Sequence, residues 1–208
     1  ELSCHKDGPS VVANGEYKGL TLNEYIEKAG KGVLGKNCER FENFPILIKL
    51  IDAKDNLSVQ VHPDNDYAMR VEGEYGKTEM WYVVDCDEGA TVKKGDVFFI
   101  KSGTLHAIGK GILIAEIQQN SNTTYRIYDY GRVGNDGKPR ELHVNKALDV
   151  TKLAPAEQYP ETPVEKKDGY DIKLLSKCEY FTTYRVNVET KAELDADENS
   201  FNSILVLE

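Results

Sequence analysis

The stretch Leu57-Ser-Val-Gln60-Val-His62-Pro63, followed after a short polar segment by Gly76-Lys77-Thr-Glu79-Met-Trp81-Tyr82-Val-Val84, decides how the chain is read. Within Leu57–His62 the apolar Leu57, Val59 and Val61 alternate with Ser58, Gln60 and His62, the period of a strand with two unlike faces. Ser-Gln-His is a poor solubilising surface beside the Lys and Glu used freely elsewhere, so that face reads as chemical. Lys77–Val84 repeats the pattern, with Lys77 and Glu79 on one face and Thr78, Met80 and Tyr82 on the other. Side by side, two such strands gather Ser58, Gln60, His62, Lys77 and Glu79 in one place.

Outward from this pair, Pro63 ends the first strand and Asp64 can cap a short helix that runs through Arg70 and is closed by Gly73. Upstream lie an apolar strand, Phe44–Asp52, and an amphipathic helix, Thr21–Gly30, with Thr21 as N-cap and Leu22, Tyr25 and Ile26 on one side. Downstream, the turn Val92-Lys-Lys-Gly95-Asp96 leads to a strand, Val97–Ile100. The small-residue turn Ser102–Ala107 then delivers His106 ahead of the strand Ile112–Gln119. After a tight turn at Asn120–Asn122, Thr123–Asp129 runs as a strand in which Thr124, Arg126 and Tyr128 share a face. Pro139–Val150 reads as a helix. His5 and His143 have no partner at metal-ligand spacing and read as surface or structural histidines. From Thr151, Pro155, Pro160 and Pro163 mark a linker, beyond which Lys173–Leu175, Tyr180–Val188 and Ser203–Leu207 read as strands.

Many short strands, glycine-rich turns and few helices predict a mainly β barrel or jelly roll decorated by short helices. With 208 residues and 40% hydrophobic content the chain can bury a core. A formal net charge of −9 argues against nucleic acid as a partner, because phosphates demand a basic face. It leaves room for a small phosphorylated ligand held by a few local cations. The longest apolar run, Phe44–Ile51, is broken by Lys49 and falls short of the ~20 residues of a membrane span. The four cysteines are widely spaced without a C-x-x-C pair, which together with the absence of a signal-peptide pattern predicts reduced thiols in a cytoplasmic protein. The opening Glu-Leu-Ser-Cys-His reads like the middle of a strand, so residues are expected ahead of Glu1.

Two imidazoles and a carboxylate, from His62, His106 and Glu79, suit Zn²⁺, with the Gln60 amide oxygen as an uncommon fourth donor. On spacing alone the alternative stays open that His62 and His106 are barrel-lining residues satisfied by hydrogen bonds.

Gly95-Asp96 followed by Gly103-Thr104-Leu105-His106 resembles the second motif of the cupin superfamily, with Lys101 where proline is usual. Taken with Ser58-Val-Gln60-Val-His62-Pro63, Gly76-Lys77-Thr-Glu79-Met-Trp81-Tyr82 and Gln119-Asn-Ser-Asn-Thr-Thr-Tyr125-Arg126, it resembles the type I mannose-6-phosphate isomerases in their short bacterial form. The resemblance implies a cupin-type barrel with a partial second β-domain: residues 1–150 as the catalytic domain with helical decorations, and 151–208 as a linker and the incomplete start of a non-catalytic β-domain. It implies a zinc-dependent aldose–ketose isomerase interconverting mannose 6-phosphate and fructose 6-phosphate by proton transfer through an enediolate, with a sugar phosphate as partner and a monomer or weak homodimer as the assembly. Position by position, the zinc ligands are Gln60, His62, Glu79 and His106; Arg126 is the catalytic arginine; Ser58 and Lys77 lie near the sugar phosphate or the reacting carbons; Glu116 lines the pocket. Lys77 is either the proton-transfer base or a phosphate ligand. Asn122 stands where larger members carry an acid and takes no acid/base role. The family's helical excursion is missing where Gly89-Ala90 meets Thr91, and its chain extends past the position of Glu208, so a junction is expected at Ala90–Thr91 and further residues beyond Glu208. Two other readings are a non-catalytic sugar-phosphate-binding cupin with a regulatory role and an iron-dependent cupin oxygenase. Gln60 speaks against the second, which typically uses a His-x-His pair.

Overall fold

A computed structural model describes residues 1–134, 136–155 and 159–207. The elements run α1 Leu22–Ala29, β1 Ile46–Ala53, β2 Val59–Val61, α2 Asn65–Val71, β3 Glu79–Cys86, β4 Val97–Ile100, β5 Ile112–Gln119, β6 Tyr125–Tyr128, α3 Val144–Val150, β7 Val164–Lys167, β8 Tyr170–Lys177 and β9 Thr182–Val188. They form a four-stranded sheet ordered β1-β5-β3-β4, a two-stranded ladder β2-β6 and a three-stranded sheet β7-β8-β9. The chain falls into two compact units, Glu1–Leu47 with Tyr159–Glu208, and Ile48–Gln158.

Local sequence explains the ends of the helices. Thr21 caps α1 through a reciprocal capping box with Glu24, and Gly30 follows its last turn. Asp64 caps α2 by accepting from the Tyr67 N–H. The predicted helix from Pro139 begins only at Val144; residues 139–143 lie outside it, with Pro139 bridged to Val133 and the His143 N–H donating to Arg126 O at 2.7 Å. Ser203–Leu207, read as a strand, forms none. β7 lies in the Pro- and Lys-rich segment that sequence pattern assigned to a linker.

The unit Ile48–Gln158 carries the site. On one face of its large sheet Glu79, Trp81 and Val83 of β3 stand opposite Gln118, Glu116 and Ile114 of β5. All six are buried, and the face grades from polar at the Glu79 end to apolar at the Val83 end. Val83 and Ile114 pack with Ala53, Ile100, Ile108 and Ile112, the valine and isoleucines each worth up to about 1.5–3 kcal/mol when fully buried. Trp81 sits at the border of the two halves. A smaller cluster of Val61, Tyr125 and Ala147 joins the two-stranded ladder to α3.

Candidate metal centre

Backbone pairing brings the histidines together. Gln60 and His106 exchange backbone hydrogen bonds at 2.9 and 3.0 Å, and the Gly103 N–H donates to His62 O at 2.8 Å. Gly103 has φ +85°, and a Cβ there would meet the Val150 carbonyl at 2.9 Å, so glycine is what lets this turn present His106 to β2. Glu79 enters from β3. One donor atom each from His62, Glu79 and His106 lies within 4.8 Å of the others.

Both imidazoles are set up as donors of electron pairs. Nδ1 of His62 lies 2.9 Å from Thr123 O, and Nδ1 of His106 lies 2.8 Å from Thr104 O. A carbonyl can only accept, so each Nδ1 carries the proton and each Nε2 keeps its lone pair for the cluster. Burial pushes the His62 pKa well below its usual value, aided by the Lys77 and His106 charges. Burial likewise drops His106 to about 4. Both rings are therefore neutral at pH 7. Glu79 is fully buried, and its Oε1 accepts no hydrogen bond. An orphaned buried carboxylate oxygen beside two neutral Nε2 atoms fits a divalent cation.

Gln60 faces the same centre with its amide 3.3 Å from His106 Nε2, while its Oε1 accepts from Ser58 Oγ at 2.9 Å. A half-turn of the amide exchanges its oxygen and nitrogen without other movement, turning the oxygen toward the histidines. Ser58 is buried and acts here on Gln60. Lys77 is buried inside the cluster, its Nζ 2.6 Å from Glu79 Oε2, 3.3 Å from His62 Nε2 and 3.9 Å from Glu116 Oε1. Burial opposes its charge, but Glu79 and Glu116 outweigh that cost and raise its pKa, so it is an ammonium. Burial raises the Glu116 carboxyl, against the pull of Lys77. Glu116 accepts from the Trp81 indole N–H at 3.1 Å, and the Trp81 ring meets His106 edge-on, with 5.4 Å between ring centroids.

Arg126 stands opposite Gln60 in the β2–β6 ladder. Its Nε is buried without a hydrogen-bond partner. Burial and the Arg140 charge lower its pKa, with Asp129 acting the other way and Arg132 adding to the fall. Its charged neighbourhood is thus a second cluster, in which Asp129 takes Arg132 at 3.0 Å and Arg140 at 2.5 Å. Sequence reasoning missed Asp129, Arg132 and Arg140, and no spacing signal marks them. It also passed over Lys49, whose charge acts on both His62 and Glu116 and whose Nζ reaches Asn122 Oδ1 at 3.1 Å. Its signal was there: one lysine inside an apolar strand.

His143 hydrogen-bonds the backbone of Arg126 through both its N–H and its Nδ1, a structural role as expected. The four cysteines are free. Among the described residues no helix is long and apolar enough to cross a membrane.

The family model of the phosphomannose isomerase type I catalytic domain matches residues 2–90. The mannose-6-phosphate isomerase of Streptococcus mutans serotype c is 39% identical over 229 residues, covering 93% of this chain and 69% of that protein. Mannose-6-phosphate isomerase ManA of Bacillus subtilis (strain 168) is 38% identical over 238 residues, covering all of this chain and 74% of the relative. Both alignments are longer than the 208-residue chain, so each relative holds residues inside the aligned span that this chain does not. The crystal structure of the mannose 6-phosphate isomerase from Bacillus subtilis superposes with a TM-score of 0.84 at 38% identity, over 90% of this chain and 68% of that one.

Proposed function

The chain belongs to the type I phosphomannose isomerase family, and on that premise we propose that it interconverts mannose 6-phosphate and fructose 6-phosphate through an enediolate at a divalent-metal site. Its mainly β, cupin-type fold carries the candidate ligands His62, Glu79 and His106, with Gln60 as the fourth. Zn²⁺ suits two imidazole nitrogens, a carboxylate and an amide oxygen, and when bound supplies a Lewis acid for the sugar's carbonyl and hydroxyl oxygens. The observation that carries the reading is the gathering of two Nε2 atoms, each left as an acceptor by its Nδ1–carbonyl hydrogen bond, around the buried Glu79 carboxylate, with His62 Nε2 3.5 Å from Oε2 and His106 Nε2 3.5 Å from the Oε1 that accepts no hydrogen bond.

The remaining work falls to the chain's own side chains. Moving a proton between C2 and C1 needs a group that takes it and returns it, and charge on the adjacent oxygens must be met. Lys77 and Glu116, 3.9 Å apart and both buried beside the candidate ligands, are the pair that holds and moves protons here. As an ammonium Lys77 serves as the acid that meets developing negative charge. Arg126, with an unpartnered Nε, offers a fixed cation to the same charge. Lys77, 5% exposed, is taken up by Glu79 and His62 among the candidate ligands. Three guanidiniums against the one Asp129 carboxylate leave two positive charges, which match the roughly −1.5 to −2 of a phosphate monoester at pH 7. We therefore assign the phosphate end of the substrate to Arg132 and Arg140, the two arginines of this cluster paired with Asp129. Free thiols accord with the cytoplasm as its compartment.

Elemental analysis combined with a coupled assay for fructose 6-phosphate tests the reading. The expected result is about one Zn²⁺ per chain, with turnover abolished by a chelator and restored by Zn²⁺. Turnover indifferent to chelation overturns the metal's role, and binding of mannose 6-phosphate without turnover assigns the site to sensing.

A further inference from the structure

Three consecutive backbone N–H groups lead into Glu79, and each has its own acceptor. The Gly76 N–H donates to Asn65 Oδ1 at 2.9 Å, that of Lys77 to Pro63 O at 3.0 Å, and that of Thr78 to Gln119 Oε1 at 2.9 Å. Gln119 then closes the circuit, since its Nε2 donates to the same Asn65 Oδ1 at 2.9 Å and its backbone N–H donates to Thr78 O at 3.1 Å. The β3–β5 register ends at Glu79 opposite Gln118, so from this point the Gln119 side chain does what the sheet no longer does. The fit is tight. A Cβ on Gly76 would stand 2.4 Å from the Asp64 carbonyl carbon and 2.7 Å from Pro63 O. Gln119 itself is 3% exposed, so its two bonds are shielded from water.

The three segments joined in this way each carry part of the site. His62 directly precedes Pro63, Lys77 lies between Gly76 and Thr78, and Glu116 is three residues ahead of Gln119. We propose that Gln119, acting through Asn65, is a positioning residue that fixes His62, Lys77 and Glu79 relative to one another. The inference rests on the reading of His62, Glu79 and His106 as metal ligands. It extends that reading from the ligands to the side-chain amide that holds two of their segments in register. Hydrogen-bonded supports of this kind typically tune metal affinity 10–100-fold.

The test measures the Zn²⁺ dissociation constant of the metal-free full chain by competition with a chromophoric chelator, alongside its denaturation midpoint. Gln119→Met keeps length and burial but removes both hydrogen bonds, and Val83→Ala in the apolar core serves as a control for lost stability alone. Gln119→Met should weaken Zn²⁺ binding about 10–100-fold, while Val83→Ala, even with an equal loss of midpoint, stays within about twofold of the wild type. If Gln119→Met does not fold, Gln119→Glu replaces it: that variant keeps an oxygen for the Thr78 N–H and loses the donor to Asn65, and a weakening of about tenfold is expected. Wild-type affinity in the folded Gln119 variant, or equal weakening in Val83→Ala, overturns the positioning role. A wild-type chain that binds no Zn²⁺ overturns instead the metal reading beneath it.

Discussion

Two charged clusters of the same unit are built on opposite terms. In the metal centre His62, Lys77, Glu79 and Glu116 are all at most 5% exposed, and every charge depends on a neighbour. In the arginine cluster only Asp129 is buried, at 5%, while Arg132 and Arg140 are about one-third exposed. Water can screen one cluster and scarcely reaches the other. The dry cluster suits chemistry, where a fixed field acts at full strength, and the wet one suits capture and release of a charged substrate.

Perturbing the two should therefore give unequal results. The largest effect is expected from Glu79→Gln, which strips the Lys77 ammonium of its 2.6 Å partner in a dry site. The metal-free protein should lose about 3–5 kcal/mol in denaturant unfolding, and Zn²⁺ binding should vanish. Next, Arg126→Ala should lower kcat about 10²–10³-fold with little change in KM, read by the coupled assay. Arg140→Gln, at the wet end, should raise KM for mannose 6-phosphate about tenfold, leave kcat within about twofold, and cost about 1–3 kcal/mol of stability, because the buried Asp129 carboxylate loses a charge-assisted partner. Equal kcat losses in Arg126→Ala and Arg140→Gln would break the division between chemistry and capture.

Acid separates the clusters more finely. Burial takes His106 from an ordinary 6.5 to about 4, so the unfolded chain takes up this proton first. The stability it contributes is complete above pH 6.5 and is lost as the pH falls toward 4. Asp129 is held below its usual 3.8, first by the Arg140 hydrogen bond, so its contribution persists above 3.8 and is lost only as the pH falls through its lower folded value. Unfolding of the metal-free protein at stepped pH should show both windows. His106→Gln should reduce the slope of the upper one, with the remainder due to His62, and leave the lower one in place. As the smallest effect, emission from Trp81, the chain's single tryptophan, should change on adding Zn²⁺ and saturate at one equivalent.

Much of the dry cluster was legible because strand alternation is a local rule. Gln60, His62, Lys77 and Glu79 announce themselves by polarity on one face of an otherwise apolar strand, and the structure unites them with His106 and Glu116. The wet cluster was not legible, since Asp129, Arg132 and Arg140 meet through a loop whose path no periodicity encodes. Gln119 illustrates a third case. Its polar side chain sits at the end of a strand, where pattern reading expects a turn residue, and its meaning lies in the backbone N–H it meets 41 residues earlier. The elements themselves followed local signals where caps were strong, as at Thr21 and Asp64. They departed where pairing decided, as in residues 139–143, where Pro139 bridges to Val133 and His143 hydrogen-bonds the Arg126 backbone, so that α3 begins only at Val144.

The central claim is that His62, Glu79 and His106 share one metal ion. Anomalous diffraction at the zinc edge, from crystals of catalytically active, Zn²⁺-loaded protein, tests it directly. The account predicts a single strong peak about 2.0–2.2 Å from His62 Nε2, His106 Nε2 and a Glu79 carboxylate oxygen. A peak bound elsewhere, or active crystals with none, would contradict it.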